Sequence, residues 1–322
     1  MSDIIPIRDL GKTGVKVSAI GLGGHHLGDL PVGLATEIVH DAIDAGVTFF
    51  DNCWEYHNGR AEVVLGQALT GRRDKVFLMT KVCTHGRDAA LATKMLEESL
   101  RRLRTDHLDL WQVHGLGFDD DPERAYAKGG VLEALDAAKR SGKVRFVGFT
   151  GHKSPDVHLR LVELGYPFDT VQMPLNCFDA TFRSFEKTVL PKLRERRIAC
   201  LGMKPLGGTA EAVKRGVVKP TEMLRYAMSL PGVATTITGV ESKERLDQAL
   251  SVARGFTPMS DVDMMKLRER CAPMAADGRF EMYKTSLKFD NPEARIAHGF
   301  PIDTKSKEVK EMLDVATGES KR

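Results

Sequence analysis

Cysteine is scarce and scattered in this chain of 322 residues: there are five, Cys53, Cys83, Cys177, Cys200 and Cys271, and none lies in a Cys-x-x-Cys pair. An odd count without paired spacing argues against a disulfide framework and a cysteine-held metal centre, and for a reducing compartment. Long apolar runs are absent, since nothing approaches the ~20 residues of a membrane span. The opening MSDIIPIRDLGKTG also lacks the apolar stretch of a signal peptide. Charge of one sign is lacking too. Forty-seven Lys and Arg stand against 44 Asp and Glu, a net +3, which gives no electrostatic case for nucleic acid or an anionic membrane. The expectation is a cytoplasmic protein with a small-molecule partner, no nucleic acid, no membrane and no metal. Homo-oligomerisation stays open.

What is present is a repeating alternation. Eight short β-branched apolar runs, bounded by turn residues, read as buried strands: Ala19–Gly23, Thr48–Asp51, Val76–Thr80, Leu108–His114, Val144–Thr150, Thr170–Met173, Ile198–Met203 and Thr235–Thr238. Amphipathic segments lie between them: Leu34–Ala45, Ala61–Leu69, Leu91–Leu103, Val131–Arg140, Pro155–Leu164, Phe182–Arg196, Thr221–Ser229 and Lys243–Ala253. Ser154-Pro155-Asp156 is helix-start chemistry, and Gly46, Gly142 and Gly165 sit where helices should stop. The count and even spacing favour an α/β fold of the (β/α)8 TIM-barrel class over an open doubly wound sheet. Ile5–Leu10, a Gly11–Gly14 turn and Val15–Ser18 read as a β-hairpin able to plug the N-terminal mouth. Asp261–Cys271 reads as a further helix. From about Pro273 the chain turns polar, and Thr304–Arg322 reads as a charged tail. No linker divides the chain. The expectation is one domain over 1–322, with a barrel at about 18–255 and a helical C-terminal extension at about 256–322.

Chemistry in a parallel barrel sits at the C-terminal strand ends. Those ends carry Gly23-Gly24-His25-His26, Asp51 with Tyr56 just beyond, Lys81, His114, Thr150-Gly151-His152, Gln172, and Met203-Lys204-Pro205-Leu206-Gly207-Gly208. Taken singly, Asp51 reads as a loop cap, Lys81 as a surface residue, Tyr56 as a packed aromatic and His114 as a satisfied core histidine. Their joint placement on successive strand ends reverses that. An ammonium beside a phenol lowers the phenol's pKa and makes it a usable proton donor to a developing alkoxide. The aspartate pairs the lysine, and the histidine orients a carbonyl oxygen. None of these groups donates hydride, so a cofactor must. Trp54 and Phe178 join His25 and His26 as candidate pocket walls, with packing as the even alternative. The acidic run Asp119-Asp120-Asp121 reads as a solvated loop. Gly21-Leu22-Gly23-Gly24-His25-His26 starts like a dinucleotide fingerprint, but His26 stands where its third glycine belongs.

Several stretches resemble the aldo-keto reductase family: LGKTGVKVSAIGLGG (10–24), FFDNCWEYHNGRAEVVLGQAL (49–69), SLRRLRTDHLDLWQVH (99–114), SGKVRFVGFT (141–150) and KPLGG (204–208). The resemblance covers roughly residues 8–255. It implies the same barrel and a catalytic set of Asp51, Tyr56, Lys81 and His114. It also implies NAD(P)H-dependent reduction of aldehydes or ketones, with Tyr56 as general acid and base. Thr150, Gly151 and Gln172 fall where the family holds the nicotinamide carboxamide. Met203, Lys204, Pro205, Leu206 and Gly208 fall where it backs the nicotinamide and approaches the pyrophosphate. Gly23, Gly24 and Asp51 border the same mouth. Beyond the eighth strand, Ser242, Lys243, Arg245 and Gln248 can serve a 2′-phosphate, which favours NADP(H) over NAD(H). Against this, Gly239 and Ala249 replace a lysine and an asparagine of the pattern, and Glu241 adds an acid. Gly151 stands where many members have asparagine, and Met203 where many have an aromatic. Two other readings stay open: a cofactor-binding redox-sensing or scaffold protein with little turnover, and a barrel lyase or isomerase using Lys81 as a Schiff base.

Overall fold

The computed structural model describes residues 4–83 and 87–290. The expected tail Thr304–Arg322 lies outside the described residues. A hairpin comes first, β1 (Ile7–Asp9) against β2 (Lys16–Ser18). Eight parallel strands follow: β3 (Ile20–Gly23), β4 (Phe49–Asp51), β5 (Phe77–Val82), β6 (Leu108–Val113), β7 (Val144–Thr150), β8 (Thr170–Pro174), β9 (Ala199–Met203) and β10 (Val233–Gly239). They close into a barrel in sequence order, and β10 seals against β3 with Thr236 opposite Ile20 and Gly239 opposite Gly23.

The helices are α1 (Val32–Asp44), α2 (Arg60–Ala68), α3 (Ala89–Leu103), α4 (Asp121–Tyr126), α5 (Val131–Arg140), α6 (Pro155–Glu163), α7 (Phe185–Arg196), α8 (Glu211–Lys214), α9 (Pro220–Ser229), α10 (Lys243–Ala253), α11 (Asp261–Ala275) and α12 (Met282–Thr285). Starts are fixed by side chains that accept orphan N–H groups. Asp88 caps α3 through Leu91 N at 2.6 Å, and Ser260 caps α11 through Asp263 N at 3.1 Å. Among the described residues no helix is long and apolar enough to cross a membrane.

Two apolar layers result. Inside the barrel, Phe49, Phe77, Met79, Leu110, Leu201 and Ile237 pack with Leu10 and Val17 of the hairpin, which therefore floors the barrel. The rings of Phe49 and Phe77 stack at 5.3 Å. A side chain at Gly21 would crowd Phe49 Cδ1 at 3.0 Å, so the missing Cβ makes room for that ring. The larger layer lies between strands and helices.

Two expectations need correction. Helix α7 starts at Phe185, not Phe182, because Asp179 accepts from Phe185 N at 3.1 Å and Glu186 N at 2.8 Å and turns the chain there. The acidic run is not a wholly solvated loop. Asp121 is fully buried at the start of α4, pairs with Arg87 at 3.1 Å and accepts from Gly117 N and Phe118 N. The polar stretch after Pro273 is packed where it is described. Phe280, Tyr283, Lys284 and Leu287 are buried. Lys284 pairs with Asp179 at 2.7 Å and Glu281 at 2.9 Å, and Asp290 pairs with Lys153 at 2.7 Å and His152 at 3.2 Å. This strap ties the C-terminal extension to the loops at the C-terminal ends of β7, β8 and β9.

Candidate active site

Asp51 closes β4 and Lys81 lies near the end of β5. Both are buried, and their side chains form an ion pair. The chain beyond β4 runs on along β5, with Asn52 N bonded to Met79 O and Trp54 N to Lys81 O, each at 3.0 Å. It then coils through a short 3-10 turn, Tyr56–Gly59, helped by left-handed His57 (φ 51°) and Asn58 (φ 53°). That path brings the Tyr56 phenol back over the ammonium. Lys81 Nζ donates to Tyr56 OH at 3.3 Å and to Asn52 O at 2.8 Å. Gln172, on β8, donates its amide nitrogen to the second Asp51 oxygen at 2.9 Å. The His114 ring meets Tyr56 edge-on at 6.1 Å. All four residues of the expected catalytic set are therefore brought together.

Burial reverses one electrostatic expectation. It raises the Tyr56 phenol well above its usual value. Lys81 pulls down and Asp51 pushes further up, but burial prevails, so the phenol is protonated at neutral pH. Burial works against the Lys81 ammonium, yet Asp51 and Tyr56 lift its pKa above normal. His114 is disfavoured as a cation by burial, but Cys53 and Glu55 raise it to about 9. Its Nδ1 lies 2.8 Å from Glu55 Oε1, 3.0 Å from Cys83 Sγ and 3.3 Å from Cys53 Sγ.

The remaining expected residues divide. Thr150 and Gln172 are paired in register, and Thr150 Oγ1 lies 4.0 Å from Met203 Sδ. Gly24 N bonds to Asp51 O at 2.7 Å. No asparagine fits at Gly151, because a Cβ there would collide with Leu116 O. Lys204, left-handed at φ 52°, lays its ammonium over Tyr283 and Phe289 at 5.5 and 5.4 Å. Burial, then Lys81, lowers its pKa to about 8. Pro205 is buried, Leu206 half-buried and Gly208 exposed beside Tyr283. At Gly239 the exposed His26 ring lies where a Cβ would sit, so a side chain there would displace that ring. Ser242 caps α10 through Arg245 N at 3.3 Å. Lys243 turns away to Asp41 at 2.9 Å and Glu37 at 3.8 Å, while Arg245 lies beside Glu241 and Gln248.

His25 and His26 are exposed at the mouth, and the His25 ring sits 5.0 Å from that of Tyr56. Partial desolvation by the loops around the mouth, then His26 and His57, hold His25 down to about 4. Of the two candidate aromatic pocket walls, Trp54 is half-buried and Phe178 is packed. Trp54 donates to Glu98 on α3 at 2.8 Å and stacks on Arg102 at 5.2 Å. Phe178 is fully buried against Phe280 at 5.1 Å.

Sequence reasoning missed the surroundings of the site: Glu55, Cys53 and Cys83 around His114, and the strap over Lys204. The one signal was position, since Cys53 and Glu55 flank Trp54 in the same loop as Tyr56.

Comparison with known proteins bears on the family and the fold. The model of the Aldo/keto reductase family matches residues 19–215. An uncharacterised oxidoreductase of Bacillus subtilis is 26% identical over 76% of this chain and 90% of its own length. A methylglyoxal reductase of Escherichia coli is 30% identical over 64% of this chain and 69% of its own. Among solved structures, an aldo-keto reductase from Bacillus halodurans superposes with a TM-score of 0.70 at 23% identity, covering 83% of this chain and 96% of that one. That likeness speaks for the fold.

Proposed function

This chain belongs to the aldo/keto reductase family, and from that premise we propose that it is an NAD(P)H-dependent enzyme reducing aldehydes or ketones to alcohols, with Tyr56 as the general acid. The observation that carries this reading is Lys81, whose buried ammonium touches both the Asp51 carboxylate and the Tyr56 phenol at the barrel mouth.

The residues present fit a nicotinamide. Gln172 Oε1 is buried with no hydrogen-bond partner, beside Thr150 and Asp51, and a carboxamide N–H would satisfy it. Gln172 and Thr150 would hold that group, with Met203 packed behind. When bound, the reduced nicotinamide supplies the hydride. Tyr56, kept protonated by burial, gives its proton to the carbonyl oxygen. Lys81 then stabilises the phenolate that remains. His114 presents Nε2 to the same oxygen and orients it. His25, neutral at physiological pH, lines the approach. For the adenosine end, Ser242 and Arg245 at the start of α10 favour a 2′-phosphate and hence NADPH, while Lys243 is committed to α1.

Replacing Tyr56 by Phe tests the acid. Turnover on a panel of aldehydes and ketones should fall about a thousandfold or more, within the span of acid–base and positioning effects. Cofactor affinity, measured by fluorescence titration, should stay within about threefold. Wild-type turnover by the variant would overturn the assignment. Cofactor binding by the parent protein without turnover would favour a sensing or scaffold role.

A further inference from the structure

Four donor atoms converge behind His114, on the side away from any role for its Nε2. Cys53 Sγ and Cys83 Sγ are 3.3 Å apart. His114 Nδ1 lies within 3.3 Å of both sulfurs and 2.8 Å from Glu55 Oε1. All four donors lie within 4.8 Å of one another. We propose that Cys53, Cys83, His114 and Glu55 form a tetrahedral site for a thiophilic divalent cation of the zinc class.

The geometry is close to what such an ion needs. Zinc–sulfur bonds of about 2.3 Å and zinc–nitrogen bonds of about 2.0–2.1 Å set tetrahedral edges of roughly 3.3–3.8 Å. The sulfur–sulfur, sulfur–nitrogen and nitrogen–oxygen separations, 2.8 to 3.3 Å, are the shorter ones of a hydrogen-bonded cluster, and the carboxylate lies within 4.8 Å of both sulfurs. Opening the sulfur–sulfur and sulfur–nitrogen edges by about half an ångström makes room for the ion. Two thiolates and an imidazole select zinc over magnesium or calcium. Binding expels the protons that now lie between the donors. Two thiolates, a carboxylate and a divalent ion leave a single net negative charge, which Lys81 tolerates as a neighbour.

The scaffold holds the donors without the ion. Cys53 N bonds to Asn52 Oδ1 at 2.8 Å, and His114 N bonds to Val82 O at 2.9 Å. Spacing along the chain hides the site, because its ligands come from three successive strand ends. The expectation of no metal rested on spacing along the chain, to which a site assembled in this way is invisible. A cation on Nδ1 fixes the imidazole with its hydrogen on Nε2, the form that donates to a carbonyl oxygen. The site rests on donor geometry and stands whether or not carbonyl reduction is the activity.

The test is a titration of the fully reduced, chelator-stripped full chain with Co2+, followed by Zn2+. One Co2+ per chain should bind, with a near-ultraviolet thiolate-to-cobalt charge-transfer band and tetrahedral visible bands, and Zn2+ should displace it. Cys83→Ser should weaken binding about a hundredfold or more, and Glu55→Gln about tenfold, judged against the effect of changing even an outer partner of a metal ligand. Cys271→Ser removes one of the separate Cys177–Cys271 pair, 3.5 Å apart, and should change nothing. If Cys83→Ser fails to fold, Glu55→Gln keeps both thiols and decides. No charge-transfer band in the folded parent overturns the site. So does unchanged affinity in Glu55→Gln, or loss of the band in Cys271→Ser.

Discussion

Gln172 donates to one oxygen of Asp51 at 2.9 Å while Lys81 pairs with the other, so a single carboxylate joins β4, β5 and β8 across the barrel mouth. Removing its charge strands Lys81. Asp51→Asn should cost about 3–5 kcal/mol, the range for a broken buried pair, read as a lower denaturation midpoint. The double variant Asp51→Asn with Lys81→Met should recover much of that stability and none of the activity. A parent-like midpoint for Asp51→Asn alone would show that the pair does not bear on folding.

Gln172→Met keeps the volume and removes both the Asp51 bond and the free amide oxygen. Cofactor KM should rise about tenfold, roughly one hydrogen bond's worth, with kcat falling less. An unchanged KM would remove Gln172 from the cofactor site.

His158 is fully buried between Phe149 and Phe185, and burial lowers its pKa from 6.5 to about 4. The unfolded chain takes up this proton below about 6.5 and the folded one only below about 4. Its stabilisation is thus complete above the upper value and lost as pH falls through the window, by up to roughly 3 kcal/mol. His152, held to about 4 by burial, acts in the same sense. Melting temperature should drop between these values, and His158→Gln should flatten the slope. An equally steep profile in the variant would exclude His158 as the source.

Arg245→Ala should raise KM for NADPH about tenfold and leave that for NADH within about twofold, as loss of one phosphate contact would. Lys243→Ala should alter neither, because Lys243 pairs with Asp41 and Glu37. Equal effects on both cofactors would place the 2′-phosphate elsewhere.

The sequence is most legible where periodicity has length to show itself. The ranges Val144–Thr150, Val131–Arg140 and Lys243–Ala253 coincide with their elements to the residue. Asp51, Tyr56, Lys81 and His114 are legible because strand ends in a barrel share one face. Helices α4 and α12 are too short to display a period. Asp121 looks solvated until Arg87 is placed against it, and Lys284 is one charge in a polar stretch until Asp179, far away in sequence, meets it. Trp54 stays open in the sequence because loop position does not say which way an indole turns. Partnerships of this kind are made by packing alone.

The seam between β10 and β3 has a consequence for biogenesis. Ile20 gains its partner Thr236 only after more than two hundred further residues have been synthesised, and the expense of closing so long a loop falls on the final step of ring assembly. Until then the nascent chain is an open sheet with two bare edges, which makes this joint the natural point of vulnerability to aggregation and of action for chaperones.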